Sequence, residues 1–525
     1  MKRLILIVWL MLPVTAAFGK VTLPVPISDG MVLQRGKEVK IWGYADPSEK
    51  VKVTFLGNAY ETEAGKSGQW MVSLPSLQPG GPYEMTINDI TLGNILVGDV
   101  YLCSGQSNME LPVRRVMDLF ADEILADENS SIRHLNVPMA YSFHNPESDI
   151  KACVWKEMKK EQVAEFSALA YFFAKELYAR TGVPVGIICS AVGGSPVEAW
   201  MSEEALQPFP RWTAALRMCQ DDAWVRSVKT SDRLMQQAWG QALASLSPNN
   251  GEAWRDMSLF SSEWAVDGMN PIYGTHFFRR SVTLDAAQAG KEAVLRLGCI
   301  VDADSVFVNG TFVGTTSYQY PPRIYTIPAH VLKEGENEIV IHLYSYKDAA
   351  PCFVPDKPYK LITATGEISL LSGWQYRPGV RMPARPDTRF FQYEPAGLYN
   401  AMIAPITQYA LAGIIWFQGE SNVSRYNEYA SLLRAMITDW RARMDSPVLP
   451  FYIIELAAFL HPQDAAQKDW ASLRAQQKRV SESLPYVYLI KNADQGEWND
   501  IHALDKKTPA VRTVDQVIKN KNNKR

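Results

Sequence analysis

The sequence predicts an α/β protein built on a parallel sheet, with one β-rich region before the sheet and another inserted into it. Residues 21–94 consist of short alternating apolar runs broken by turn residues, and after Ile95 apolar runs of strand length alternate with helical spacing. Between residues 251 and 373 β character returns, before the alternation resumes. Closely spaced short strands are typical of a sandwich, whereas strands alternating with helices are typical of a parallel sheet covered by helices.

Each element is predicted from its local pattern. Val39–Trp42 and Val51–Phe55 alternate apolar and polar residues, which indicates strands. Asn309-Gly310, between Val308 and Phe312, is a hairpin turn signal. The other predicted elements are, in chain order, strand 95–103, helix 162–180, strand 183–189, strands 293–297, 305–308 and 338–342, helix 399–409, strand 411–417, helix 426–443, strand 448–454, helix 470–480 and strand 486–490.

The chain has 525 residues, more than a single hydrophobic core supports, so several domains are expected. The changes of pattern divide it into six segments. They are a signal peptide (1–20), an N-terminal β-sandwich domain (21–94), a first part of the α/β domain (95–250), an inserted β domain (251–373), a second part of the α/β domain (374–515) and a basic tail (516–525).

The first twenty residues have the pattern of a secretory signal. Lys2 and Arg3 precede an apolar stretch from Leu4 to Val14, and small residues follow near Ala17. The apolar stretch is short for a membrane span, so a cleaved signal peptide is favoured over a retained anchor. We therefore predict a secreted or periplasmic protein, associated with the cell surface only if this segment is retained.

Charge and cysteine content exclude several classes of partner. The net charge is −3 and the pI is about 6.2. A protein that binds nucleic acid or an anionic membrane as its main partner needs a basic stripe on its surface. The six cysteines form no CxxC pair and no Cys/His cluster with metal spacing, so no metal site is predicted. Cys103 and Cys189 lie in apolar runs and are predicted to be buried.

Four polar clusters directly follow predicted strands of the parallel sheet. Ligands of such sheets lie at the carboxyl ends of the strands, so we expect the four clusters to form one site. The clusters are Ser104–Asn108, Gly193–Ser195, Gln418–Asn422 and Asp494–His502.

Ser107 and His502 are the candidate nucleophile and base. Ser107 follows Gly105 at a strand-to-helix turn, where a serine is either an exposed nucleophile or a helix N-cap. Met109 replaces the second glycine of a G-x-S-x-G elbow, which disfavours an α/β-hydrolase. A serine nucleophile needs a base, and of seven histidines only His502 lies in a polar loop after a strand of the sheet.

Other polar residues of the clusters have candidate supporting roles. Gly193 and Gly194 offer backbone N–H groups for an oxyanion, or form only a tight turn. Gln418 and Asn422 offer side-chain donors. The carboxylate that orients the histidine is left open among Glu420, Asp494, Glu497 and Asp500. The aromatic residues that could stack on a sugar ring are Trp200, Trp416 and Trp498. Each of these three could instead belong to the core.

The four motifs SGQSNME (104–110), GGSPVEAW (193–200), LYNAMIAP (398–405) and WFQGESN (416–422) resemble the signatures of the sialate O-acetylesterase family. This family is a branch of the SGNH (GDSL-type) hydrolases and is related to acetylxylan esterases. The resemblance extends over nearly the whole chain after residue 20. It implies an SGNH-hydrolase (flavodoxin-like) parallel sheet, an N-terminal β-sandwich and an inserted galactose-binding-like β jelly roll.

The resemblance also assigns roles. It implies that Ser107 is the nucleophile, that Ser107 and Gly194 supply oxyanion N–H groups, that His502 is the base, and that no metal or cofactor takes part. The aspartate expected three residues before the histidine is Asn499 here, and the proline expected after it is Ala503. Related acetylxylan esterases hold the histidine with the glutamate of the Gln-Gly-Glu motif, so Glu420 is the first choice and Asp500 the second.

The function implied is that of a secreted serine carboxylic-ester hydrolase that removes O-acetyl groups from sugars, most closely a sialate O-acetylesterase. An acetylxylan or hemicellulose acetyl esterase would share the chemistry. A weakly active carbohydrate-binding protein is the third possibility, favoured by the missing aspartate and the short C-terminal end. The sequence leaves open the position of the acetyl group, the oligomeric state and whether the β domains bind glycans.

Overall fold

The computed structural model describes residues 21–246, 252–346 (except 262, 268 and 269), 353–460 and 464–522. The predicted signal peptide therefore lies outside the described residues. Among the described residues no helix has the length and apolarity needed to cross a bilayer. The strands up to the inserted region are β1 Val32–Gln34, β2 Val39–Tyr44, β3 Lys50–Phe55, β4 Asn58–Glu63, β5 Gln69–Leu74, β6 Gly80–Ile87, β7 Ile90–Gly105, β8 Asn129–Asn136, β9 Trp155–Met158 and β10 Val185–Ala191.

The inserted region and the part of the chain after it contain the remaining strands. The inserted strands are β11 Arg255–Asp256, β12 Val266–Asp267, β13 Asn270–Pro271, β14 Tyr273–Leu284, β15 Ala293–Leu297, β16 Ala303–Val308, β17 Thr311–Thr316, β18 Ile324–Ile327, β19 Gly335–Ser345, β20 Tyr359–Thr363, β21 Gly366–Ser369 and β22 Gln375–Met382. The last strands are β23 Gly413–Phe417, β24 Phe451–Ile454 and β25 Val487–Ile490. The helices are α1 Ser107–Glu110, α2 Met117–Ala126, α3 Lys160–Val163, α4 Ala168–Thr181, α5 Glu203–Leu206, α6 Pro210–Cys219, α7 Asp222–Ser245, α8 Tyr426–Arg443, α9 Gln467–Ser483 and α10 Lys507–Asn522.

Strand β7 joins the N-terminal β region to the central sheet. Its first half pairs with β6 and β1, and its second half pairs with β10 and β23. Every residue from Ile95 to Gly105 is buried, as expected for a strand covered on both faces. The boundary predicted between residues 94 and 95 falls inside this strand, and side chains of both regions belong to one apolar core.

The central sheet has the order β25-β24-β23-β7-β10-β8-β9. All neighbouring pairs are parallel except β8 with β9 at the edge. The predicted α/β class is thus confirmed. Numbered along the chain, the parallel strands stand in the order 2-3-1-4-5-6, because β10 lies between β7 and β8.

The inserted region forms two antiparallel sheets around a core of its own. One sheet has the order β11-β22-β14-β19-β16-β17 and the other β18-β15-β20-β21. Phe278 and Ile341 of the first sheet and Leu295 and Leu361 of the second belong to the same buried cluster. Asn309 and Gly310 have φ values of 50° and 77°, so the predicted hairpin turn between β16 and β17 is confirmed. The jelly-roll and sandwich assignments and the segment boundaries stay predictions.

Two helical segments differ from the predictions. The predicted helix 399–409 is a π-helical turn at Tyr399–Ile403 followed by a 3-10 turn at Ala404–Ile406, because Pro405 has no N–H to continue the ladder. The segment predicted as a basic tail (516–525) is helical as far as Asn522, because α10 continues into it. Lys521 of this helix is 2.7 Å from Asp99, a buried carboxylate that keeps it in place.

Candidate active site

The candidate site lies where three neighbouring strands of the central sheet end. The loops after β7, β10 and β23 begin at Gly105, Ala191 and Phe417, which are adjacent in register. The strand order runs outward from β7 through β10 and β8 on one side and through β23, β24 and β25 on the other. Such a switch point in the strand order is where open α/β sheets bind ligands. The predicted convergence of these three clusters is therefore present.

Gly105 forms the sharp turn that exposes the serine. Its φ is +136°, and a Cβ at this position would lie 2.1 Å from the carbonyl oxygen of Phe417. The next N–H, of Gln106, donates to that same oxygen at 3.0 Å. Only glycine fits this close approach of the two strand ends, which directs the chain into α1.

Ser107 is the first residue of α1, and the N-cap is Gln106, whose side chain makes no capping bond. The N-cap interpretation of Ser107 is therefore wrong, and its hydroxyl is not used to close the helix. Ser107 is half-buried, between the buried residues Gln106 and Asn108. A partly accessible hydroxyl on a rigid turn is the arrangement a nucleophile needs.

The Gly193-Gly194 loop lies against Ser107. A Cβ at Gly193 would be 3.5 Å from Ser107 Cβ, and the Gly193 N–H donates to Glu110 Oε2 at 2.5 Å. Gly194 has φ +77°, and a Cβ there would be 2.4 Å from the hydroxyl oxygen of Tyr393. Glycine is thus required at 194 both by backbone conformation and by space. Since Glu110 takes the Gly193 N–H, Gly194 is the better candidate oxyanion donor.

His502 is buried in the loop that follows β25. Its ring lies edge-on to Tyr320, with centroids 5.0 Å apart, and 6% of the residue is exposed. Burial, together with the positive charges of Lys506 and Arg115, lowers the pKa of His502 to about 3. The imidazole is therefore neutral at neutral pH.

A side chain next to the serine connects the histidine loop to α1. Asn108 Nδ2 donates to the carbonyl oxygen of Ile501 at 3.0 Å. The two residues are the direct neighbours of Ser107 and His502. This bond brings the fourth predicted cluster to the same edge of the sheet, although β25 itself is a distant edge strand.

The three main candidate carboxylates are in different environments. Asp500 Oδ1 lies 3.8 Å from His502 Nδ1 and accepts the His502 backbone N–H at 2.8 Å. Glu420, ranked first from the sequence, instead accepts from Asn108 Nδ2 at 2.5 Å. Asp494 is exposed and forms a bidentate pair with Arg512 at 2.6 and 2.7 Å. Asp500 is therefore within 4 Å of the imidazole, although this separation is longer than a hydrogen bond and His502 Nδ1 has no hydrogen-bond partner among the described residues.

Gln418 and Asn422 lie behind the serine rather than at the surface. Both are fully buried, and Gln418 Nε2 donates to Asn422 Oδ1 at 2.7 Å. Gln418 Nε2 also contacts Gln106 Oε1 at 3.1 Å, and Asn422 Nδ2 donates to Glu198 Oε2 at 2.9 Å. Their amide groups are engaged in this buried network, so they support the Gln106 turn and not a substrate.

The three candidate aromatic residues differ in their exposure to solvent. Trp200 and Trp416 are 0% exposed and stack edge to face in the core, with centroids 6.2 Å apart. Trp498 is 43% exposed. Only Trp498 is accessible to a sugar ring.

Four contributors to the site were not predicted from the sequence. Lys506 donates to Asn108 Oδ1 at 2.7 Å, and Lys357 of the inserted region lies 3.2 Å from Asp500 Oδ2. Tyr320, also inserted, packs on His502, and Tyr393 packs on Gly194. No local pattern marks these residues, because each reaches the site from a distant part of the chain.

A cavity of about 430 Å³ opens beside Gly194. Its wall includes Trp212, Tyr393 and Ser421, whose hydroxyl donates to the Gly194 carbonyl oxygen at 2.8 Å. Arg211 and Arg425 line it as well, both with their guanidinium groups over Trp212. The cavity has room for a monosaccharide next to the candidate oxyanion donor.

Comparison with known proteins gives consistent results. The family model described as "Carbohydrate esterase, sialic acid-specific acetylesterase" matches residues 97–228 and 376–516, just over half of the chain. Sialate O-acetylesterase of Homo sapiens is 32% identical over 203 residues, covering 34% of this chain and 39% of the human protein. The mouse (Mus musculus) protein is 32% identical over 209 residues, covering 34% of this chain and 37% of its own length. The chain thus aligns with about two fifths of these relatives.

One solved structure has a similar fold over most of the chain. A carbohydrate acetylesterase from Xanthomonas citri superposes with a TM-score of 0.57 at 23% identity. The match covers 95% of this chain and 75% of that protein. At this identity the likeness concerns the fold.

Proposed function

Since the chain belongs to the sialic acid-specific acetylesterase family of carbohydrate esterases, we propose that it hydrolyses O-acetyl esters of sialic acid by serine catalysis. The observation that carries the proposal is the position of Ser107. It begins a helix at the open end of the central strand and lies beside a glycine loop, and the next residue, Asn108, is bonded to the loop that bears the buried His502.

In the proposed mechanism His502 takes the proton of the Ser107 hydroxyl as the oxygen attacks the acetyl carbonyl carbon. The tetrahedral oxyanion receives hydrogen bonds from the N–H groups of Ser107 and Gly194. Collapse releases the sugar hydroxyl, which takes the proton from His502, and leaves an acetyl ester on Ser107. Water, deprotonated by His502, then attacks this ester, and as the acyl–oxygen bond breaks His502 returns the proton to the Ser107 oxygen and acetate is released. Asp500 stabilises the imidazolium that forms in each half-reaction.

Sialic acid is proposed as the acceptor because the family and the curated relatives are described by it. The cavity beside Gly194 is in keeping with this proposal. Arg211 is 66% exposed at its side chain, and its nearest carboxylate partner, in Glu428, is 4.0 Å away. A carboxylated sugar would find an available cation there, whereas a neutral xylan chain would not use it.

The first experiment measures acetate release from O-acetylated sialic acid and from acetylated xylan, with Ser107→Ala beside the wild type. We expect turnover of the sialic acid substrate and a loss of about 10⁴-fold or more in Ser107→Ala. Ser73→Ala, at an exposed position of β5, is the control and should retain full activity. Turnover of xylan alone would replace the proposed substrate, and an active Ser107→Ala would remove the mechanism.

Export is proposed from residues 1–20 alone. N-terminal sequencing of protein recovered outside the cytoplasm should give a chain that starts near residue 20. An intact Met1 in that fraction would contradict cleavage.

A further inference from the structure

Lys506 places a buried positive charge directly beneath the candidate site. The residue is 1% exposed. Its ammonium group donates to Asn108 Oδ1 at 2.7 Å and to the carbonyl oxygen of Ala503 at 2.5 Å, and it lies over the ring of Phe417. A buried ammonium is costly unless it has hydrogen bonds and a counter-charge. The proposed mechanism gives this group no task.

The counter-charge is Glu420, on the opposite side of the same amide. Glu420 Oε1 accepts from Asn108 Nδ2 at 2.5 Å. Glu420 Oε2 is buried and has no hydrogen-bond partner among the described residues. Asn108 therefore lies between a buried cation at its oxygen and a buried carboxylate at its nitrogen. Both bonds are charge-assisted, so they fix the amide more firmly than neutral partners would.

Two of these side chains, Asn108 and Lys506, hold the two chain neighbours of His502. Asn108 Nδ2 also donates to the carbonyl oxygen of Ile501 at 3.0 Å, and Lys506 holds the carbonyl oxygen of Ala503. The backbone on either side of the imidazole is thus attached to one network. That network is anchored on Asn108, the residue directly after the proposed nucleophile.

We propose that Lys506 and Glu420 are positioning residues that act through Asn108 to hold His502 against Ser107. The inference rests on the proposed function, since it assigns these groups a role in serine catalysis. It also gives Glu420 a role other than orienting the imidazole. The benefit is geometric, because a catalytic base must stay within hydrogen-bond reach of the proton it removes.

Lys506 also affects the charge state of the base. The groups that face His502 are Lys506 at the start of α10, Arg115 after α1, Asp500 in the same loop and Tyr320 of the inserted region. After burial, Lys506 makes the largest contribution to lowering the pKa of His502. Loss of the ammonium charge should therefore raise this pKa.

The test compares Lys506→Met, Lys506→Arg and the control Lys507→Met in the full-length protein. The Lys507 side chain, 41% exposed, pairs with Glu123 at 2.7 Å instead of entering the site. kcat and KM for p-nitrophenyl acetate are measured from pH 2.5 to 9, a range that includes the acid limb set by a His502 pKa of about 3. In Lys506→Met we expect kcat to fall about tenfold or more with KM nearly unchanged, and the acid limb of kcat/KM to move to higher pH. Lys506→Arg should keep the acid limb, because the charge remains, and Lys507→Met should match the wild type.

A Lys506→Met enzyme with the kcat and pH profile of the wild type would overturn the inference. So would a reduced kcat with an unchanged pH profile, since loss of packing alone produces that result. If Lys506→Met does not fold, Glu420→Gln and Lys506→Met/Glu420→Gln decide the question. The double variant should then fold, because it leaves no unpaired buried charge. A double variant that also fails to fold would contradict the pairing. A wild type inert to p-nitrophenyl acetate and to a serine-reactive phosphonate would instead reject the proposed function itself.

Discussion

Asp500 reaches His502 because the chain between them turns. The Asp500 N–H donates to the carbonyl oxygen of Glu497 at 3.2 Å, and this turn brings the Asp500 carboxylate back onto the His502 N–H. We expect Asp500→Asn to lower kcat about ten- to a hundredfold, because the imidazolium loses its negative neighbour. Asp494→Asn is the control, since Asp494 pairs with Arg512 at the surface. Equal kcat values for the two variants would remove Asp500 from the site.

Gly194 offers a second test at the residue scale. Gly194→Ala places a methyl group 2.4 Å from the Tyr393 hydroxyl in a backbone of φ +77°. Gly57 has the same φ, +77°, in a hairpin with nothing within 4 Å. Both alanine variants should lose about 1 kcal/mol of stability from the backbone. Only Gly194→Ala should also lose activity, by about a hundredfold, as the oxyanion donor moves. Ester hydrolysis and thermal melting of both variants give the comparison.

The sequence predicted the site residues that follow strand ends, and little beyond them. Ser107, Gly194 and His502 were found because polar residues after an apolar strand are expected at one edge of a parallel sheet. The position of Asp500 depends on the turn between Glu497 and Asp500, which the residue types of this polar loop do not indicate. Lys506 bonds to Asn108 across 398 residues of sequence, and no local pattern records a contact of that range.

At the scale of elements, the inserted region is part of the site's support. Lys357, in the loop before β20, is 2.5 Å from Glu497 and 3.2 Å from Asp500, and Asn499 Nδ2 donates to the carbonyl oxygen of Pro355 at 2.7 Å. Burial alone would lower the pKa of Lys357, but Asp500 and Glu497 raise it above its usual value. Lys357 therefore stays protonated, and its ammonium group attaches the histidine loop to the inserted region.

Removing this contact should affect catalysis although Lys357 belongs to another core. Lys357→Met should lower kcat several-fold to tenfold, because Asp500 loses the group that fixes its Oδ2 atom. Lys360→Met is the matched control, since Lys360 pairs with Glu367 on the neighbouring strand at 2.7 Å. Steady-state kinetics of the two variants with p-nitrophenyl acetate provide the measurement. A fully active Lys357→Met would show that the inserted region does not support the histidine loop.

Elements were predicted well where apolar runs decide the structure. Helix 426–443 and strand 293–297 were predicted with the bounds that α8 and β15 have. The helix predicted over 162–180 is broken before α4, where Ser167 caps a new helix by accepting from the Ala170 N–H at 3.2 Å. Side-chain capping of this kind competes with helix continuation, and hydrophobic spacing alone does not reveal it. How the inserted sheets pack on the histidine loop is likewise a tertiary property.

Over the whole molecule, buried histidines link stability to pH in the central sheet, in the inserted region and in the loop after β25. Burial lowers the pKa of His134 in β8 to about 3, of His276 in β14 to about 4 and of His502 to about 3. Their ordinary value in an unfolded chain is about 6.5. Between pH 6.5 and these lower values, the unfolded chain binds protons that the folded chain does not. The free energy of unfolding therefore falls as the pH drops through this window, by roughly 1 kcal/mol per pH unit for each histidine.

His134 allows this linkage to be tested away from the active site. Its ring is stacked on Phe166 with centroids 4.5 Å apart, and neither ring nitrogen has a hydrogen-bond partner among the described residues. His134→Phe keeps the stacking and removes one group that binds a proton on unfolding. The free energy of unfolding of the wild type and of His134→Phe is measured with urea at intervals from pH 8 to 4. Plotted against pH, the two free energies should run parallel above pH 7. Below pH 6 the slope of the variant should be smaller by roughly 1 kcal/mol per pH unit. Equal slopes below pH 6 would mean that His134 is protonated in the folded protein and would contradict the prediction. Protonation is unfavourable there because the ring is buried and its nitrogens have no hydrogen-bond partner among the described residues.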